Sequence, residues 1–84
     1  MARPPKPIDE STYSGRFASR LRTLREKTGM TGYHVAELLS NNGFQCGERT
    51  YYGWESGRAD PPLNALPFIA ATLGVSIRTL FPAK

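Results

Sequence analysis

The stretch Glu48-Arg49-Thr50-Tyr51-Tyr52-Gly53-Trp54-Glu55-Ser56-Gly57-Arg58-Ala59-Asp60-Pro61-Pro62 decides how this chain is read. Tyr51 and Trp54 stand one helical turn apart, so a short helix over 48–56 places both rings on a single inner face. Gly57 supplies the stop. The adjacent Pro61 and Pro62 bar helix immediately before them, which makes 58–62 a turn. Gly53 disfavours its own helix by about 1 kcal/mol relative to alanine, which is explained if a second backbone or a partner comes close there.

Working outward toward the N-terminus, a tight segment with Phe44, Cys46 and Gly47 precedes this helix. Before it, Val35, Ala36, Leu38 and Leu39 form the buried stripe of a second helix over 32–42, capped by Thr31 and stopped by Asn42 and Gly43. Phe17, Leu21 and Leu24 recur at helical spacing in a first helix, which Thr12 or Ser14 caps and Gly29 ends. Its other faces carry Arg16, Arg20, Arg22, Arg25 and Lys27. Toward the C-terminus, Leu66, Ile69, Ala70 and Leu73 mark a fourth helix with Asn64 as its expected cap and Pro67 near its start. Ser76 is expected to cap a fifth, short helical turn with Ile77, Leu80 and Phe81, ended by Pro82. No strand pattern competes. The expectation is an all-α domain of five short helices over 13–84, preceded by a flexible, proline-rich arm over 1–12 that carries Arg3 and Lys6.

The composition narrows the function. Eighty-four residues fit one modest core, so function must sit on one domain's surface. Eleven Lys and Arg against seven Asp and Glu leave a net charge of +4, a balance that suits a polyanion. A single cysteine, Cys46, excludes an internal disulfide, and with His34 as the only histidine the chain cannot build a four-ligand structural zinc site. Neither residue has the neighbours that would make it a nucleophile or base, so no catalysis, metal or cofactor is expected. The most apolar segment, 63–77, is too short and too interrupted to span a bilayer, and the reading is of a soluble, cytoplasmic protein without membrane contact.

Four blocks sharpen the layout: Leu24-Arg25-Glu26-Lys27-Thr28-Gly29-Met30-Thr31, Val35-Ala36-Glu37-Leu38-Leu39, Trp54-Glu55-Ser56-Gly57-Arg58 with Pro61, and Leu73-Gly74-Val75-Ser76 before Leu80-Phe81. Together they resemble the Cro and phage-repressor family, also called XRE-type, over 17–81. The resemblance implies a five-helix, lambda-repressor-like helix-turn-helix domain whose third helix lies in the DNA major groove. It implies Glu48, Arg49, Tyr52 and Gly53 as outward, base-reading positions, and Thr31, Gly32, Tyr33, Thr50, Ser56 and Arg58 as positions that meet the DNA backbone. It further implies a partly buried salt bridge between Arg25 and Glu55 that ties the first helix to the end of the third.

Two features depart from the family pattern. Gly32 stands where a glutamine is usual, and the connection into the third helix is several residues longer, which is expected to lengthen the second helix and let Phe44 plug back onto the core. The implied partner is duplex DNA with a pseudo-palindromic site, bound by a homodimer, with Ile77, Leu80 and Phe81 as candidate interface residues and Arg3 and Lys6 as a candidate minor-groove arm. The competing readings are an antitoxin or mobile-element control protein that also binds a protein partner, a winged helix, and a protein-interaction module whose basic faces only solubilise it.

Overall fold

A computed structural model describes residues 10–82, so Arg3 and Lys6 of the expected arm lie outside the described residues. Thr12 stands at the start of α1 (Tyr13–Thr28) and accepts a hydrogen bond from the Gly15 N–H with its hydroxyl at 3.0 Å. That satisfies one amide of a first turn that has no intrahelical acceptor. Phe17, Leu21 and Leu24 are buried along α1, as their spacing predicts. Thr31 repeats the device at α2 (Gly32–Asn41), where its hydroxyl accepts from the His34 N–H at 3.1 Å. Val35, Ala36 and Leu39 are buried, and Leu38 lies at the edge of the stripe, partly exposed.

The chain leaves α2 through Gly43, whose φ of +108° is open to glycine at little cost, and the Phe44 N–H then bonds the Leu39 carbonyl at 2.9 Å. α3 (Glu48–Glu55) follows and buries Tyr51 and Trp54. A 3-10 turn at Leu63–Ala65 leads into α4 (Leu66–Leu73), in which Pro67 occupies the first turn, where its missing N–H costs nothing. The expected cap of α4 is corrected here. Asn64 lies within the 3-10 turn, Ala65 holds the cap position, and no side chain bonds the helix start.

The expected fifth helix is a 3-10 turn at Ile77–Leu80. Its four residues close three-residue bonds, Thr79 N–H to Ser76 carbonyl at 3.0 Å and Phe81 N–H to Arg78 carbonyl at 3.2 Å, before Pro82 stops the chain. There is no length for an α-helical ladder. The Ser76 hydroxyl does not cap the turn but pairs with the Thr79 hydroxyl at 2.9 Å. Among the described residues the fold is therefore four α-helices with two 3-10 turns and no strand.

One core holds these elements together. α1 packs on α3, α4 and the last turn, and α2 packs on α3 and α4. Leu21, Leu39, Tyr51, Ile69 and Leu80 are fully buried at its centre. Leu80 thus closes the core and is withdrawn as an interface candidate, whereas Ile77 and Phe81 remain 44% and 41% exposed. Arg20 Nε adds a polar tie, donating to the Thr79 carbonyl at 2.9 Å across the gap from α1 to the last turn.

Candidate nucleic-acid interface

The outer surface of α3 follows from which side chains its inner face consumes. Tyr51, Trp54 and Glu55 are buried, and Glu48, Arg49, Thr50 and Tyr52 are exposed. Gly47 stands at the helix start without a side-chain cap bond, and the Glu48 carboxylate in the first turn complements the positive end of the helix dipole. Glu48 thus has a structural role beside any contact it makes.

Gly53 was expected among the outward positions, and the structure places it in the interior. The chain turns back after α3 so that the Arg58 and Ala59 N–H groups bond the Gly53 carbonyl at 3.1 and 3.2 Å, and the Arg58 guanidinium lies over Gly53. A Cβ on Gly53 would sit 3.1 Å from Arg58 Nη2. The close approach anticipated at this glycine is made by Arg58, which reaches the middle of α3 with Nη2 at 3.5 Å from the Arg49 carbonyl. Gly57, at φ +79°, allows the reversal.

The inner end of α3 is clamped by charge. Glu55 is 1% exposed, and Arg25 grips it with both Nε and Nη2, the latter at 3.0 Å, while Arg25 Nη1 donates to the Met30 carbonyl at 2.9 Å. Two parallel bonds to one carboxylate fix direction as well as distance. Arg22 was absent from the expected clamp, yet its Nε lies 3.7 Å from Glu55 Oε1. The signal was its position, one turn before Arg25 on α1. The Glu55 carboxylate beside it, more than offsetting burial, raises the Arg25 pKa above the usual arginine value.

Tyr51 completes this cluster. Its hydroxyl is buried beside Glu55, short of hydrogen-bond geometry to any partner, and burial, then the Glu55 charge, push its pKa well above the ordinary tyrosine value. The unfolded chain therefore gives up this proton first. Stability present below about pH 10 is lost as pH rises further, by up to about 1.4 kcal/mol per pH unit. Urea unfolding of Tyr51→Phe is expected to match the wild type within about 1 kcal/mol at neutral pH and to decline less steeply above pH 10. An unchanged alkaline slope would show that Tyr51 is not the group responsible.

At the other edge of the surface, Thr31 opens α2, Gly32 is buried and Tyr33 is 56% exposed. α2 and α3 thus form two packed helices joined by a turn, with an exposed outer face on the second. A family model described as a helix-turn-helix domain matches residues 16–81, most of the chain. The chain belongs to this family. The match is consistent with the XRE-type resemblance of the four sequence blocks. No curated protein and no solved structure matches the chain.

In this helix-turn-helix domain the turn, 42–47, is long and internally braced. The Ser40 hydroxyl donates to the Cys46 carbonyl and accepts from the Cys46 N–H, both at 3.2 Å. Phe44 plugs back onto the core as expected, its ring 6.2 Å from Trp54 and 5.8 Å from Phe68. Burial pushes the Cys46 thiol up, which keeps it protonated at neutral pH. Among the described residues, no group of His, Cys, Asp and Glu is arranged to hold a metal ion, and no helix is long and apolar enough to cross a membrane.

Proposed function

We propose that this helix-turn-helix domain is a sequence-specific, duplex-DNA-binding transcriptional regulator, acting as a repressor, that lays α3 in the major groove. The observation that carries the reading is the division of α3 into a face locked on the core by Tyr51, Trp54 and Glu55 and a face that leaves Glu48, Arg49 and Tyr52 exposed. Arg49 offers a two-bond fork to guanine O6 and N7, Glu48 an acceptor for the cytosine amine, and Tyr52 a hydroxyl and a ring edge for a thymine methyl. Thr31 and Tyr33 at the start of α2, with Thr50, Ser56 and Arg58, meet phosphates and set the register. Arg3 and Lys6 are the candidates for a minor-groove contact, and 13–84 is the candidate DNA-binding domain.

The acting species is a homodimer on a pseudo-palindromic site with half-sites about 34–36 Å apart. Its interface uses Ile77 and Phe81. A second reading, in which a protein partner also binds, is favoured by one observation. Beside Phe81 an apolar groove of about 180 Å³ opens between Tyr13, Phe17, Pro61 and Leu66, with Tyr13 and Phe81 both exposed. That reading fits an antitoxin or mobile-element control protein that keeps its DNA contact.

Selection of bound duplexes from a random pool tests the function. Wild type is expected to enrich a pseudo-palindrome bound at about 10 nM or tighter, with affinity falling steeply as salt rises. Arg49→Ala is expected to lose preference at one G·C pair per half-site by about 5- to 150-fold and to bind other positions as before. Binding without enrichment, or none at all, ends the specific-regulator reading and turns the search to a protein partner.

A further inference from the structure

The residue pair Gly32 and Tyr52 joins the two helices of the motif by a contact that leaves no space for a side chain. A Cβ on Gly32 would lie 2.5 Å from Tyr52 Cζ, 2.6 Å from Cε1 and 2.8 Å from the hydroxyl oxygen. All three are closer than non-bonded atoms tolerate, so the far edge of the Tyr52 ring rests directly on the backbone at the start of α2. The ring also meets Tyr51 edge-on, with centroids 6.2 Å apart and planes at 65°. Tyr52 is nevertheless 40% exposed, so a ring in contact with two buried neighbours still presents a surface outward.

Resting on the DNA-binding reading above, we propose that Gly32 is a positioning residue for specificity: its bare backbone seats Tyr52 across the gap between α2 and α3 and thereby sets how Tyr52 meets the DNA. The seat removes rotamer freedom from a long aromatic side chain before binding, so that less is lost on contact. It also explains why the position carries no side chain. Gly32 is not among the glycines with a positive φ, so its backbone conformation gives no reason for glycine, while the Tyr52 ring does.

Gly32→Ala relieves its clash most cheaply by swinging Tyr52 outward about χ1, because the obstructing atoms are the far end of a flexible side chain. The variant therefore folds, with a melting temperature within a few degrees of wild type, and carries a displaced reader. A different role for a bare glycine here is close approach of a DNA phosphate to the α2 backbone. The two roles separate in a double-mutant cycle, since only the first acts through Tyr52.

The experiment measures Kd on the selected duplex for wild type, Gly32→Ala, Tyr52→Ala and the double variant, with the base preference of each. Gly32→Ala is expected to weaken binding about tenfold in wild type and to change nothing in the Tyr52→Ala background. Its base preference flattens at the pair that Tyr52→Ala also flattens, and the pair dependent on Arg49 keeps its preference. An equal loss in both backgrounds assigns Gly32 to direct DNA contact and overturns the proposal, as does no loss in either. If wild type enriches a duplex and the cycle is additive, this inference alone falls. If wild type enriches none, the DNA-binding reading falls and the inference with it.

Discussion

Arg25→Met is expected to cost about 3–5 kcal/mol of folding stability, measured by urea unfolding at neutral pH. Glu55 is buried to 1% exposure, and without Arg25 its carboxylate keeps only Arg22, at 3.7 Å. A buried anion stripped of its bidentate partner has lost the interaction that offset its desolvation. Against the roughly 5–15 kcal/mol typical of a whole domain, that brings the protein near its unfolding threshold. The reverse substitution, Glu55→Gln, should cost less, because Arg25 and Arg22 reach the surface and can hydrate. Replacing both partners, as Arg25→Met with Glu55→Leu, should recover much of the loss, since apolar isosteres need no compensation. A loss below about 1 kcal/mol for Arg25→Met would remove the pair from the account of what holds α3.

Trp54→Ala is expected to be as damaging, at about 3–5 kcal/mol, and to lower the melting temperature by on the order of 20 °C in a circular dichroism scan. Trp54 is the chain's only tryptophan, buried between Tyr51 at 6.0 Å and Phe44 at 6.2 Å. Its loss opens a cavity where the inner face of α3 meets the plug of the long turn. Because Phe44 packs on the same ring, Phe44→Ala and Trp54→Ala should be less than additive. Strict additivity would mean that the turn does not draw on Trp54 for its position.

Much of this fold is legible in the sequence, because local chemistry specifies it. Thr12 and Thr31 cap as their residue type predicts, and Phe17, Leu21, Leu24, Val35, Leu39, Tyr51 and Trp54 are buried as their spacing predicts. The misplacements fall where a residue's part depends on distant chain. Asn64 is a good cap by type, but Pro62 and Pro67 bracket a 3-10 turn around it. Leu80 reads equally as core or interface until α1 and α4 close over it. At the candidate site, the family pattern implies outward positions at Glu48, Arg49 and Tyr52, and the fold leaves all three exposed; the Arg25 to Glu55 clamp it implies is present. Gly53 was misread because the ring of contacts over it belongs to Arg58, after the turn. The seating of Tyr52 on Gly32 had no signal at all, since no periodicity within one helix reports a contact between two.

The placement of the anchors along α3 has a mechanical consequence. Tyr51, Trp54 and Glu55 anchor it from its middle to its C-terminal end, whereas the side chains of Glu48, Arg49 and Thr50 are exposed at its start, after a glycine that makes no side-chain bond. The helix is a beam held from its middle to one end. The exposed side chains of Arg49 and Thr50 at the other end pack on none of the core, so they can be exchanged with small penalty to the fold. Such an arrangement lets the outer surface of one scaffold change without the protein first becoming weaker.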